Sequence, residues 1–230
     1  MNNRFRLMTV FAVFIFTASL FVAGCVNYDQ KTTIKEDGSG SMKIHYWSNM
    51  KNFSMGTTLE NFEFEEAKAK DKYKSSNSEV TSIKVEDKLD DSTKHVYIDL
   101  TFKDLNKLKD AKGFGGVNSS WKEVADGMEM KYTLLKDTTA ANLFNSSDYK
   151  VTYEFTLPSD IVSTNGTKEG QTVKYSYTLA DFSKDIEMTT VVKKPKGKLC
   201  GIFGFIMGTM LIGLAYYSQK RKKMTDHEKK

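Results

Sequence analysis

Cysteine, proline, histidine and arginine are all scarce. The 230-residue chain has two cysteines, two prolines and three histidines. Cys25 and Cys200 are too few for a disulfide framework, so the fold must be held by its core. Pro158 and Pro195 exclude a proline-rich stalk. Between residues 26 and 198 there is no arginine, and 26 lysines face 27 acidic residues for a net of −1. The +5 of the whole chain therefore comes from its ends. Basic ends serve membrane topology, and lysine lacks the fork with which arginine reads phosphates and bases. A nucleic-acid partner is thereby excluded.

Catalytic patterns are missing too. His45 and His95 fall in predicted strands, with neither HExxH nor Cys/His spacing, and read as structural or solvent-facing. There is no GxSxG elbow, no GxGxxG at a strand–helix junction and no spare cysteine nucleophile. Gly38-Ser39-Gly40 is not followed by Gly-Lys-Ser/Thr, so it is a turn and not a phosphate loop. Asp87, Asp90 and Asp91 lack EF-hand spacing. No metal, no cofactor and no enzymatic activity are expected.

What is present begins at the N-terminus. Arg4 and Arg6 precede an apolar stretch from Leu7 to Val22, the form of a secretory signal peptide. It ends in Val22-Ala23-Gly24-Cys25, which resembles the bacterial lipobox. In lipoproteins with that motif the thiol is alkylated with diacylglycerol and the chain is cut before the cysteine. Residues 1–24 thus read as a lipoprotein signal peptide and Cys25 as the lipid-bearing N-terminus. An ordinary signal peptide is the competing reading. In a non-bacterial secreted protein the sequons at Asn52, Asn118, Asn145 and Asn165 would matter.

A second apolar stretch, 199–217, reads LCGIFGFIMGTMLIGLAYY and carries no charge. About 20 such residues span a bilayer as a helix. The basic tail 218–230 then lies in the cytoplasm. Gly201, Gly204 and Gly208 share one helix face, and Gly204 and Gly208 form a GxxxG pair, so helix packing and a homodimer are expected there. No LPxTG motif precedes the stretch. The protein is expected in the cytoplasmic membrane of a bacterium, with 25–198 on the extracytoplasmic side.

Residues 25–198 read as one α+β domain built on an antiparallel sheet. Predicted hairpins join 28–36 to 41–47, 80–89 to 94–102, and 121–124 to 128–134, with further strands at 150–157, 172–178 and 187–192. Thr81-Ser82-Ile83 breaks the alternation. One longer helix is predicted over 57–74, from a possible capping box at Thr57 and Glu60 and a weak apolar face. Asp104 caps a short helix through Leu105, Leu108 and Ala111. Phe53, Met55, Leu59, Phe62 and Phe64 are candidates for a lipid-facing wall. Phe114, in the glycine-rich loop 113–117, is a candidate ligand-facing aromatic.

The stretch Phe155-Thr156-Leu157-Pro158-Ser159-Asp160 through Asn165-Gly166 to Gly170-Gln171-Thr172-Val173-Lys174-Tyr175 resembles the LppM-like family of bacterial lipoproteins. Its pattern is a strand, Leu-Pro, an Asn-Gly turn and a second strand. Ser159 and Tyr175 stand where that family more often has glycine and tryptophan. The resemblance implies a membrane-tethered ectodomain of lipid-binding-like shape, without catalytic residues. The preferred reading is a non-catalytic module that binds a lipid, glycolipid or other envelope amphiphile, or a membrane partner. A structural or sensory envelope protein is the alternative. An apolar cavity for acyl chains would mark the first, and a filled core the second.

Overall fold

The structure is a computed structural model, and it describes residues 26–54, 62–136 and 150–194. In chain order the elements are β1 (Val26–Ile34), β2 (Gly40–Asn49), α1 (Lys51–Ser54), α2 (Glu66–Tyr73), β3 (Ser78–Lys88) and β4 (Thr93–Phe102). Two 3-10 turns follow, Leu105–Asp110 and Lys112–Phe114, and then β5 (Val117–Val124) and β6 (Gly127–Leu134). The last elements are β7 (Lys150–Thr156), β8 (Ile161–Thr164), β9 (Thr167–Glu169), β10 (Thr172–Thr178), a 3-10 turn at Leu179–Ser183 and β11 (Ile186–Val192).

Alternation of apolar and polar residues builds the larger sheet. In β1 and β2 every second residue is buried, the period-two pattern of a strand with one covered face. Asp37 and Gly38 make their turn. Gly38 takes φ +80° and the Asp37 carboxylate accepts from the Ser39 N–H at 3.0 Å. The seven strands run in the order β3-β4-β2-β1-β7-β10-β9. The break in alternation predicted near 81–83 is a bulge, with the register shifting between Val80 and Ser82. A smaller sheet has the order β5-β6-β11-β8.

The covered faces meet in one core. Tyr132 of β6 lies 5.3 Å from Phe155 and 5.7 Å from Tyr153, both on β7. Met42, Ile44, Ile98, Leu100, Met130 and Met188 are fully buried around them. Burying each such side chain contributes roughly 1.5–3 kcal/mol. Trp121 of β5 covers the β1–β2 turn, and its indole N–H donates to the Glu36 carbonyl at 3.1 Å.

Several expectations are corrected. The domain is predominantly β, not α+β, and the larger sheet is not wholly antiparallel, because β7 pairs with β1 in parallel. The helix predicted over 57–74 is confined, among the described residues, to the eight residues of α2. Phe62, Glu63 and Phe64 precede it in non-helical conformation. Phe62 and Phe64 both pack on Tyr46, at 5.1 and 5.3 Å. Residues i and i+2 point to one side of an extended chain and to different sides of a helix, so the core selects the extended form.

The C-terminal membrane helix is not supported. Among the described residues no helix is long and apolar enough to cross a membrane. Residues 199–217, with Gly201, Gly204 and Gly208, lie outside the described residues, as do 1–25 with Cys25.

Gly127 opens β6 with φ +153°, and a Cβ there would sit 1.9 Å from the Val192 carbonyl oxygen. Gly127→Ala therefore pushes β6 away from the end of β11. Chemical denaturation of residues 26–194 should show a loss of at least about 2 kcal/mol. A change within about 0.5 kcal/mol would contradict this packing.

Candidate functional site

The uncovered face of the larger sheet carries the alternate residues. β2 and β4 set His45 opposite Tyr97 and Trp47 opposite His95. β1 sets Asp29 beside His45, and β7 sets Thr152 beside Asp29. Four near-parallel rings result. His45 stacks between Tyr97, at 4.3 Å, and Trp47, at 4.5 Å, while His95 lies alongside at 5.2 Å. His95 is 5% exposed although it belongs to the outer face, because neighbouring rings cover it.

Hydrogen bonds give this cluster a direction. The Asp91 carboxylate can only accept, so the Thr93 hydroxyl donates to it. Thr93 must then accept from His95 Nε2–H, at 2.7 Å. That assigns a bare Nδ1 to His95, which accepts from His45 Nε2–H at 2.9 Å. His45 Nδ1 is left as a lone pair 4.0 Å from the Asp29 carboxylate. Asp29 in turn accepts from the Thr152 hydroxyl. The chain of groups runs from Thr152 and Asp29 through both histidines to Thr93 and Asp91.

Both imidazoles are kept neutral. Desolvation, and then the neighbouring His95, lower His45 to about 4. Desolvation, and then Lys88, lower His95. The Thr93 hydrogen bond holds the Asp91 carboxyl below its ordinary value. The polarity of the chain does not suit nucleophile activation. His95 donates to Thr93, whereas a general base would have to accept the hydroxyl proton.

Beside the rings, the face dips into an open depression of about 330 Å³ lined by Asp29, Lys31, Thr152, Glu154, Lys174 and Ser176. Both signs of charge and the hydroxyls of Thr152, Thr167 and Ser176 line it, with Tyr153 and Tyr175 beside them.

The residues expected to contact a ligand lie elsewhere. Phe53 is partly buried and meets the Phe64 ring edge-on at 4.7 Å. Phe62 packs on Tyr28 and Tyr46, on the covered side of the sheet. Phe114, expected as an exposed aromatic, is 1% exposed and packs against Tyr73 at 5.3 Å. Its loop is a 3-10 turn that points the ring inward. Met55 and Leu59 lie outside the described residues. Taken one at a time, His45 and His95 read as structural or solvent-facing, and nothing in either strand alone marks them as a pair. Parity in β2 and β4 was the available signal, since His45 and His95 alternate with the core residues Tyr46 and Val96.

The histidine pair sets a pH dependence. A histidine lowered by folding stabilises the fold fully above its unfolded value of about 6.5, and the contribution is lost as pH falls toward about 4. Asp29, Glu86, Asp90 and Asp91 face the pair and favour its protonation, while Lys88 opposes it. Denaturation at pH 7, 6, 5 and 4.5 should show a loss on the order of 2 kcal/mol. The double variant His45→Gln/His95→Gln should flatten that window. An equal decline in both proteins would locate the effect in other groups.

No protein-family model matches the chain, and no curated protein matches it. Among solved structures it is similar to the folded domain of the LppM protein of Mycobacterium tuberculosis, determined by NMR. Identity is 15%, TM-score 0.43, and the match covers 77% of this chain and 95% of that one. A likeness at that level does not assign the chain to a family.

Proposed function

We propose that the protein is a non-catalytic, lipid-anchored domain of the bacterial cell envelope. It lies on the extracytoplasmic surface of the cytoplasmic membrane and binds the polar part of an envelope amphiphile on the outer face of its larger sheet. The observation that carries this reading is the absence of any spacer after the lipobox cysteine. Val26 follows Cys25 directly and is already the first residue of β1, near the middle of the sheet.

A diacylglyceryl group on Cys25 therefore holds one end of the sheet against the bilayer. At that end Val26 pairs with Ser48, Asn49 with Thr93, and Thr93 with Lys88. The β3–β4 turn thus shares it, and Leu89 in that turn is 81% exposed. Leu89 stands between Lys88 and Asp90 on that turn, an exposed apolar side chain placed to enter the headgroup boundary. The core between the sheets is packed with side chains, so acyl-chain burial there is not part of this reading. A filled core is the outcome expected of a structural or sensory envelope protein, and that role stands as the second reading.

The orientation is tested on the lipidated protein in vesicles, in a Cys200→Ser background. Leu89→Cys and Glu36→Cys are each labelled with a dye that brightens in lipid. The two sites mark opposite ends of β1, about 30 Å apart. The dye at position 89 should brighten on vesicle incorporation, the dye at 36 should not, and Cys25→Ser should abolish the difference. Native mass spectrometry of the detergent-extracted protein should find a retained amphiphile that Lys174→Ala releases with the unfolding midpoint unchanged. Equal dye responses overturn the orientation. Absence of any retained amphiphile leaves the structural reading in its place.

A further inference from the structure

We propose that His45 and His95 form a binding site for a divalent transition-metal ion, Cu2+ foremost. The inference rests on the two strands and does not depend on the proposed amphiphile or on the lipid anchor.

The argument begins with the protons. In the ion-free arrangement His45 Nε2–H donates to His95 Nδ1 across 2.9 Å. Moving that one proton to His45 Nδ1 leaves two bare nitrogens facing each other. No proton has to leave the protein. The relocated proton finds the Asp29 carboxylate 4.0 Å away. On the far side His95 Nε2–H already donates to Thr93, and Thr93 to Asp91. Each imidazole would thus bind metal through one nitrogen; at the other, His95 is held by Asp91 through the Thr93 hydroxyl, and His45 has the Asp29 carboxylate within ion-pair reach but beyond hydrogen-bond distance. Metal-bound histidines are characteristically supported in this way.

The spacing selects among ions. Metal–nitrogen bonds are about 2.0 Å long, so nitrogens 2.9 Å apart subtend about 90° at the ion. A tetrahedral ion needs about 3.3 Å between its ligands at the same bond length. An angle near 90° fits adjacent corners of a square-planar or tetragonal ion, the preference of Cu2+ and then Ni2+. The two nitrogens point at each other along the hydrogen bond, so an ion held off that line requires His45 to tilt while His95 stays on its Thr93 hydrogen bond. His45, whose side chain is 27% exposed, has room for that tilt.

Charge supports a cation here. Asp29, Asp90 and Asp91 act on the two imidazoles, and Glu86 does so while paired with Lys84; Lys88 opposes them. No third side chain joins them, since among the described residues no group of three His, Cys, Asp or Glu side chains could hold a metal. Water completes the coordination, and the ion is exchangeable rather than a support of the fold.

Trp47, stacked on His45 at 4.5 Å, supplies the readout, because bound Cu2+ quenches a neighbouring indole. The other tryptophan, Trp121, is buried against the β1–β2 turn. The full-length protein in detergent is titrated with Cu2+ while tryptophan emission and the electron paramagnetic resonance spectrum are followed. Cys200 and His227 remain in every variant, so differences between variants belong to the strand site. The expected result is saturable quenching with a tetragonal spectrum showing two nitrogen couplings. His45→Gln and His95→Gln should each abolish the quenching, and Trp47→Phe should remove it while leaving the spectrum. Asp29→Asn should weaken binding about tenfold. Thermal unfolding of each variant at pH 7.5 identifies any that fails to fold, and Asp29→Asn tests the site without removing a ligand. Quenching that is absent, or equal in wild type and both histidine variants, overturns the proposal.

Discussion

The parallel pairing of β1 with β7 is the contact on which the rest of the structure depends. It joins Tyr28 to Val151 and Thr33 to Thr156, positions 123 residues apart in the chain. On one side of it stand β2, β4 and β3, and on the other β10 and β9. Without it the larger sheet falls into two fragments of four and three strands. The pairing also sets Thr152 beside Asp29, so that the polar row on the outer face continues from the histidines into the depression. Parallel neighbours cannot be joined by a hairpin. The chain between them, which includes β5 and β6, is used to cover the sheet.

The two faces of this sheet follow from one periodicity and have opposite chemistry. The inner face is mostly apolar but contains a small polar knot. Tyr28 donates to the Gln30 amide oxygen at 2.8 Å, Gln30 donates to Thr32 at 3.0 Å, and Tyr132 approaches Gln30 from the smaller sheet at 3.4 Å. A buried amide costs free energy unless it is hydrogen-bonded, so these bonds favour one register between the two sheets. A second link is made where Tyr175 of β10 meets Thr164 and Thr190 of the smaller sheet, at 3.1 and 3.0 Å. On the outer face the same alternation collects imidazoles, an indole, a phenol and carboxylates. They are partly dry because they cover one another. Partial burial without a hydrophobic core keeps two histidines neutral while their nitrogens stay near the surface.

Much of the strand content was readable locally. The β1–β2 turn at Asp37-Gly38, the β3–β4 hairpin, the bulge near Thr81 and the Asp104 cap, which accepts from the Asn106 N–H at 2.9 Å, each depend on adjacent residues. The misreadings occurred where a local signal met a tertiary demand. The helix expected over 57–74 is broken at Phe62 and Phe64, which are drawn onto Tyr46 together and need an extended chain. Gly113 to Gly116 suggested an exposed loop, but Tyr73 offers Phe114 an apolar surface. From Phe155 to Tyr175 the sequence reads as a strand, Leu-Pro, an Asn-Gly turn and a second strand. The middle segment, β8, instead joins the smaller sheet beside β11, while β9 returns to β10. Backbone pairing partners carry no mark in such a stretch.

By itself the sequence determined which residues of each strand face inward, where the tight turns fall, and that the domain has no cysteine of its own between Val26 and Lys198. These are consequences of side-chain polarity, glycine geometry and composition, and they act over a few residues. It also determined that His45 and Trp47 share one side of a strand, as do His95 and Tyr97, because alternation is a property of the backbone. Tertiary structure alone decided that these two strands are neighbours and in what register. His45 and His95 come within hydrogen-bond distance only because β2 bonds to β4 with Tyr46 opposite Val96, although each strand was first committed to a different hairpin. The choice between alternative neighbours is made by the summed packing of the inner face. The histidine pair on the outer face is a product of the core beneath it.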